Sequence, residues 1–92
     1  MKKFTDNSNT SVLTTKYVMR QNSPILHVSH HHDGFWEFSG FESNIKEDEI
    51  LSVALEEIIL LDPTVSDIAD LPYGFKAVRK TKESPWRILN EK

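Results

Sequence analysis

Apolar and polar residues alternate in several short runs along this chain, and the runs are separated by clusters of turn-forming residues. Val12-Leu13-Thr14-Thr15 has strand propensity, and Lys16 to Met19 either extends it or turns away. Arg20 to Pro24 reads as a loop, because Pro24 biases Ser23 away from helix. Ile25 to His31 and Phe35 to Ser39 read as two strands of a hairpin around His32-Asp33-Gly34. Parity selects the register. A two-residue Asp-Gly turn would pair His31 with Trp36 and scatter the apolar face. A three-residue loop pairs His30 with Trp36 and Val28 with Phe38, which unites Val28, Trp36 and Phe38 on one side. Gly34 then occupies the left-handed position that closes such loops.

The middle of the chain leaves two readings open. Asn44-Ile45-Lys46-Glu47 resembles a capping box and would start one long helix to Leu61. Ile50 to Leu55 equally suits a buried strand, because so short an apolar run has no decisive period. Leu55, Ile58 and Ile59 follow helical spacing. Asp62-Pro63 is a helix start, with the carboxylate as cap and Pro63 at the first position, and Val65, Ile68 and Ala69 as its buried stripe. Phe75 to Thr81 alternates Phe75, Ala77 and Arg79 against Lys76, Val78 and Lys80. Trp86 to Leu89 returns antiparallel after the Lys82-Glu83-Ser84-Pro85 turn. The sum is an α+β domain, a small antiparallel sheet of about four to five strands with one or two short helices packed on it.

With 92 residues the chain supports one core, expected over residues 11 to 92 behind a polar, flexible lead-in at residues 1 to 10. Apolar residues at 38% and charged residues at 27% suit a globular protein. Absence of cysteine excludes disulfides and thiolate zinc sites. No apolar run reaches the ~20 residues of a membrane span, and no signal-peptide core is present, so a cytoplasmic protein is expected. The net charge of −3 hides a segregation. Residues 42 to 70 hold nine acidic residues and one basic residue, and residues 71 to 92 hold six basic and two acidic. An acidic middle disfavours nucleic acid and favours a basic protein partner.

Candidate chemistry changes the picture little. His30-His31-His32-Asp33 invites a metal reading, but neighbouring strand residues point to opposite faces, so His30 and His31 cannot share one ion within a strand. Glu47, Asp48, Glu49, Glu56 and Glu57 lie in charged runs that suit solvation rather than acid–base catalysis. No G-x-S-x-G turn and no glycine-rich phosphate loop occurs. No enzyme activity, cofactor or metal is therefore expected. Trp36 and Trp86 fit core positions. Phe35 faces away from Trp36 and Phe38, beside His31, Glu37 and Ser39, and an exposed Phe among polar neighbours points to a contact surface. Phe35, Glu37, Glu56 and Glu57 are the candidate partner contacts.

The order of these features resembles a bacterial domain of unknown function, the immunity-protein-33-like family of polymorphic toxin systems. The resemblance rests on Val12-Leu13-Thr14-Thr15, on Pro24 to Val28, and on Asp33-Gly34-Phe35-Trp36-Glu37-Phe38-Ser39-Gly40. It continues through Leu55-Glu56-Glu57-Ile58, Asp62-Pro63 and Leu71 to Arg79, so that it covers roughly residues 11 to 88. It implies an α+β fold, a strand at Ile50 to Ala54 followed by a helix from Leu55, and binding and occlusion of a toxin without catalytic residues. The competing expectation is a structural or regulatory accessory domain acting as a homodimer.

Overall fold

A computed structural model describes residues 2–90 as a two-layer α+β domain. The strands are β1 (Ser11–Thr15), β2 (His27–His30), β3 (Trp36–Ser39), β4 (Ile50–Ala54), β5 (Phe75–Val78) and β6 (Arg87–Asn90). They form one six-stranded sheet in the order β4-β1-β3-β2-β5-β6. Every neighbouring pair is antiparallel except β1 and β3, which run parallel with Leu13 opposite Glu37. The sheet is thus wider than expected. The first strand lies inside it, flanked by segments made later in the chain.

The hairpin adopts the register that parity selects. His30 pairs with Trp36 and Val28 with Phe38. His31 N–H donates to Phe35 O at 2.8 Å and Gly34 N–H to His31 O at 2.9 Å, and Gly34 has φ +93°. Trp36, Phe38, Val28, Val12 and Ala77 are buried on one face of the sheet. Each large side chain so buried contributes on the order of 1.5–3 kcal/mol.

The helical layer covers that face alone. α1 (Lys16–Arg20) begins at once after β1, where the buried Thr15 Oγ1 accepts from Val18 N–H at 3.2 Å. That cap resolves the choice between extension and turn. The middle segment resolves as β4 followed by α2 (Leu55–Leu61), not as one long helix. Asn44 is no cap: it takes a left-handed φ of 56°. Lys46 instead precedes a 3₁₀ turn over Glu47–Glu49, where Glu49 Oε1 accepts from Lys46 N–H at 2.9 Å. β4 is half-exposed rather than buried, because it forms the sheet edge.

Leu55 and Ile58 of α2 enter the core, as helical spacing requires. Asp62 caps the next element through Thr64 N–H, but Pro63–Ile68 is a 3₁₀ helix. Val65, Ile68 and Leu71 recur every third residue and are all buried. Three residues per turn is the 3₁₀ period, so the apolar spacing itself suits the tighter helix.

Residues 2 to 10, read above as a flexible lead-in, are tied to the domain. Phe4 packs edge-on against Trp36 at 5.0 Å, and Asp6 Oδ1 accepts from Trp36 Nε1–H at 3.1 Å.

Candidate functional site

Among the described residues, no helix covers the other sheet face. Leu13, Ser29, Glu37, Ser39, Lys76 and Val78 lie on it half-buried, and His27 and Arg87 are exposed. Phe35 continues this face at the hairpin tip and is 47% exposed. Beside it His31 Nε2 meets Glu37 Oε1 at 2.9 Å, with both side chains substantially exposed. Phe35, His31 and Glu37 therefore share the face that strand alternation assigns them.

Strand directions gather the remaining candidates at the same end of the sheet. β1 starts there, β4 finishes there, and Ala54 pairs with Ser11. Thr10, Ser11, Asp33, Gly34 and Phe35 line a shallow cleft of about 320 Å³. α2 departs from this corner. Glu56 N–H donates to Ser8 O at 2.9 Å, and Glu57 Oε2 accepts from Ala54 N–H at 2.9 Å. Both carboxylates are exposed, and Glu57 also caps its helix. Asp6, Asp33 and Asp70 lie at this end as well. The acidic middle of the sequence does not form one surface, however. Glu47, Asp48 and Glu49 precede β4 and so stand at the opposite end.

The loop Leu71–Gly74 completes the hairpin end. Gly74 N–H donates to His30 O at 2.6 Å, and Gly74 takes φ +82°. A Cβ on Gly74 would collide with the His32 ring, which rests on the glycine. Tyr73 is 63% exposed beside it. The three histidines diverge: His30 lies in the core, His31 on the open face, and His32 over Gly74. Among the described residues, no three His, Asp or Glu side chains are gathered as metal ligands.

His30 is buried, stacked on Trp36 at 3.7 Å and 11°, and met edge-on by Tyr73 at 4.7 Å. Its Nδ1 donates to Leu71 O at 2.6 Å. Asp70, Thr5 and these aromatics line a pocket of about 380 Å³. Nothing in the one-dimensional pattern brings Asp70 and Tyr73 to His30. Only the β2–β5 pairing, His30 opposite Phe75, does so.

Away from this end, Arg79 and Asp62 form a buried ion pair at 2.8 Å, with side chains 2% and 4% exposed. Arg79 also donates to Ile25 O, Thr64 Oγ1 and Lys82 O and lies over the Trp86 ring at 4.0 Å. Trp86 is accordingly half-buried and packs against the core, whereas Trp36 lies inside it. A groove of about 830 Å³ runs past Arg79 and Trp86, and Lys2, Lys82, Asp67 and Glu83 all line it. Mixed charge and a fully engaged guanidinium select no ligand there. The alternation of Phe75, Ala77 and Arg79 holds the missed signal: an arginine on the inward parity must find an acid.

Comparison with protein-family models, curated proteins and solved structures finds no match to this chain.

Proposed function

We propose that the chain is a protein-binding domain of the immunity type, which docks a basic toxin on the hairpin end of its sheet and occludes it. The observation that carries this reading is the pair of exposed aromatics, Phe35 and Tyr73, at the same end of the sheet as Asp33, Glu37, Glu56, Glu57 and Asp70. Aromatic anchors beside several carboxylates suit a protein partner of opposite charge. The reading assigns no catalytic step, cofactor, nucleic acid or membrane, and places the encounter in the cytoplasm. Among the described residues, no helix is long and apolar enough to cross a membrane.

Affinity capture from the native host tests it, comparing wild type with the folded double variant Phe35→Asp/Glu37→Lys. One basic protein, recovered at stoichiometric ratio with wild type and lost with the variant, is expected. That protein should arrest growth when expressed without this chain. Recovery of no protein, or equal recovery by both chains, overturns the reading.

A homodimeric accessory role is the second reading. β6 favours it: among the described residues this edge strand has no partner on its outer side, and its Ile88 and Leu89 are exposed. Sedimentation as a strict monomer at high concentration removes it.

A further inference from the structure

We infer that the uncovered sheet face carries, at the end away from the hairpin, a receptor for a phosphate monoester, formed by His27, Lys80 and Arg87 around Val78. This site is separate from the docking surface above and does not rest on that reading.

Strand register brings the three residues together. His27 on β2 pairs with Val78 on β5, and Val78 pairs with Arg87 on β6. Residues directly opposite one another on adjacent strands share a face, so His27 and Arg87 flank Val78 on the side without helices. Their backbones are two strand spacings apart, roughly 9–10 Å. Lys80 follows Val78 by two residues and lines the same cavity of about 400 Å³, together with Pro85 and the half-buried Val78.

Charge sets this cavity apart. Among the described residues, no Asp or Glu lines it. The clefts described above all have a carboxylate on the wall: Asp67 and Glu83 with Arg79, Asp70 with Tyr73, and Asp33 with Phe35. Arg79 borders this cavity too, but its guanidinium is engaged by Asp62. His27, Lys80 and Arg87 are exposed, and among the described residues their side chains have no ion pair or hydrogen bond. Lys2, Lys16 and His31, by contrast, each meet an acid. Neighbouring donors without a counter-charge, in a chain of net charge −3, mark a place where an anion is favoured.

The donor set narrows the anion. Arg87 offers a planar fork of N–H groups, Lys80 an ammonium, and His27 an N–H in either protonation state. A carboxylate brings one charge and two oxygens. A phosphate monoester brings a charge of about −1.5 to −2 and three terminal oxygens, one for each donor. Val78 and Pro85 supply an apolar wall for the organic part of the ester, and the volume suits a small molecule.

The test is a titration of the full chain with phenyl phosphate, followed by NMR of the His27 imidazole and the Val78 methyl groups. Inorganic phosphate, phenylacetate and a phosphoserine peptide amide are titrated in parallel. Saturable shifts with phenyl phosphate are expected, on the order of millimolar in Kd, with inorganic phosphate and phenylacetate about five-fold weaker or more. The double variant Lys80→Gln/Arg87→Gln changes exposed side chains, so its circular dichroism should stay native while binding falls about ten-fold or more. Both esters carry the same group, and their order of affinity assigns its source: a tighter peptide places the phosphate on a protein, a tighter phenyl phosphate on a small molecule. Absence of saturation with either ester, equal binding of phenylacetate or inorganic phosphate, or undiminished binding by the double variant overturns the inference.

Discussion

Arg79 directs its N–H groups at four acceptors on three separate segments, Ile25, Asp62 with Thr64, and Lys82. Removing Asp62 leaves this guanidinium buried without its counter-charge and also uncaps the 3₁₀ helix. Asp62→Ala should cost about 3–5 kcal/mol, enough to unfold most of a domain of this size, as urea denaturation would record. Arg79→Lys is no safe replacement, since an ammonium cannot reproduce the fork or the stacking on Trp86. A second pair gives a pH signature. Tyr17 O–H donates to Glu49, which Lys16 Nζ also approaches at 3.5 Å. The hydrogen bond from Tyr17, then that from Lys46 N–H, holds the Glu49 carboxyl below its ordinary 4.5. The same bond, with burial, raises the Tyr17 phenol above 10.0. Glu49 therefore adds stability above pH 4.5 that is lost as pH falls through its lowered value. Tyr17 adds stability below pH 10.0 that is lost as pH rises through its raised value. Denaturation of Tyr17→Phe should show a flatter pH dependence at both ends than wild type. Identical curves for the two proteins would show that the pair is energetically idle.

At the scale of elements, two glycines separate backbone strain from crowding. Gly34 has positive φ and open space around the position of a Cβ, whereas Gly74 has positive φ and the His32 ring against it. Gly34→Ala should cost about 1–2 kcal/mol from the backbone alone. Gly74→Ala should cost more, and Gly74→Ala in a His32→Ala background should fall back toward the Gly34 value in thermal melts. The β2–β3 hairpin is legible in the sequence because its signal is local: Val28, Trp36 and Phe38 share a parity, and Gly34 closes the loop. The exposure of Phe35 beside His31 and Glu37 follows from the same parity. The β4–α2 boundary was ambiguous because Ile50 to Leu55 suits either structure by pattern. It is settled by pairing of β4 with β1, a contact some 40 residues distant along the chain. The 3₁₀ form of Pro63–Ile68 was visible in the threefold spacing of Val65, Ile68 and Leu71, yet Asp62-Pro63 is an equally good start for an α-helix. The His30–Tyr73 pocket and the Arg79–Asp62 pair depend on tertiary neighbours that no window of sequence contains.

For the whole molecule, charge is divided between the two ends, with Glu47, Asp48 and Glu49 at the same end as the basic residues away from the hairpin. Asp6, Asp33, Glu56, Glu57 and Asp70 mark the hairpin end, while Lys80, Lys82 and Arg87 follow β5 or open β6 at the other. Association with a basic partner should accordingly slow as salt rises, with a smaller change in dissociation; stopped-flow rates at two ionic strengths would show it. Equal association rates at low and high salt would remove electrostatic steering from the account. The placement of β1 has a different consequence, in time. Its two neighbours, β3 and β4, begin 25 and 39 residues after β1 itself begins. A chain emerging from the ribosome therefore holds one side of its first strand unpaired until Ala54 is out, whereas the β2–β3 hairpin is complete at Ser39. Closing β1 between its neighbours is thus a long-range event, slower than the local hairpin, so folding of this domain is not set by its best local signal alone.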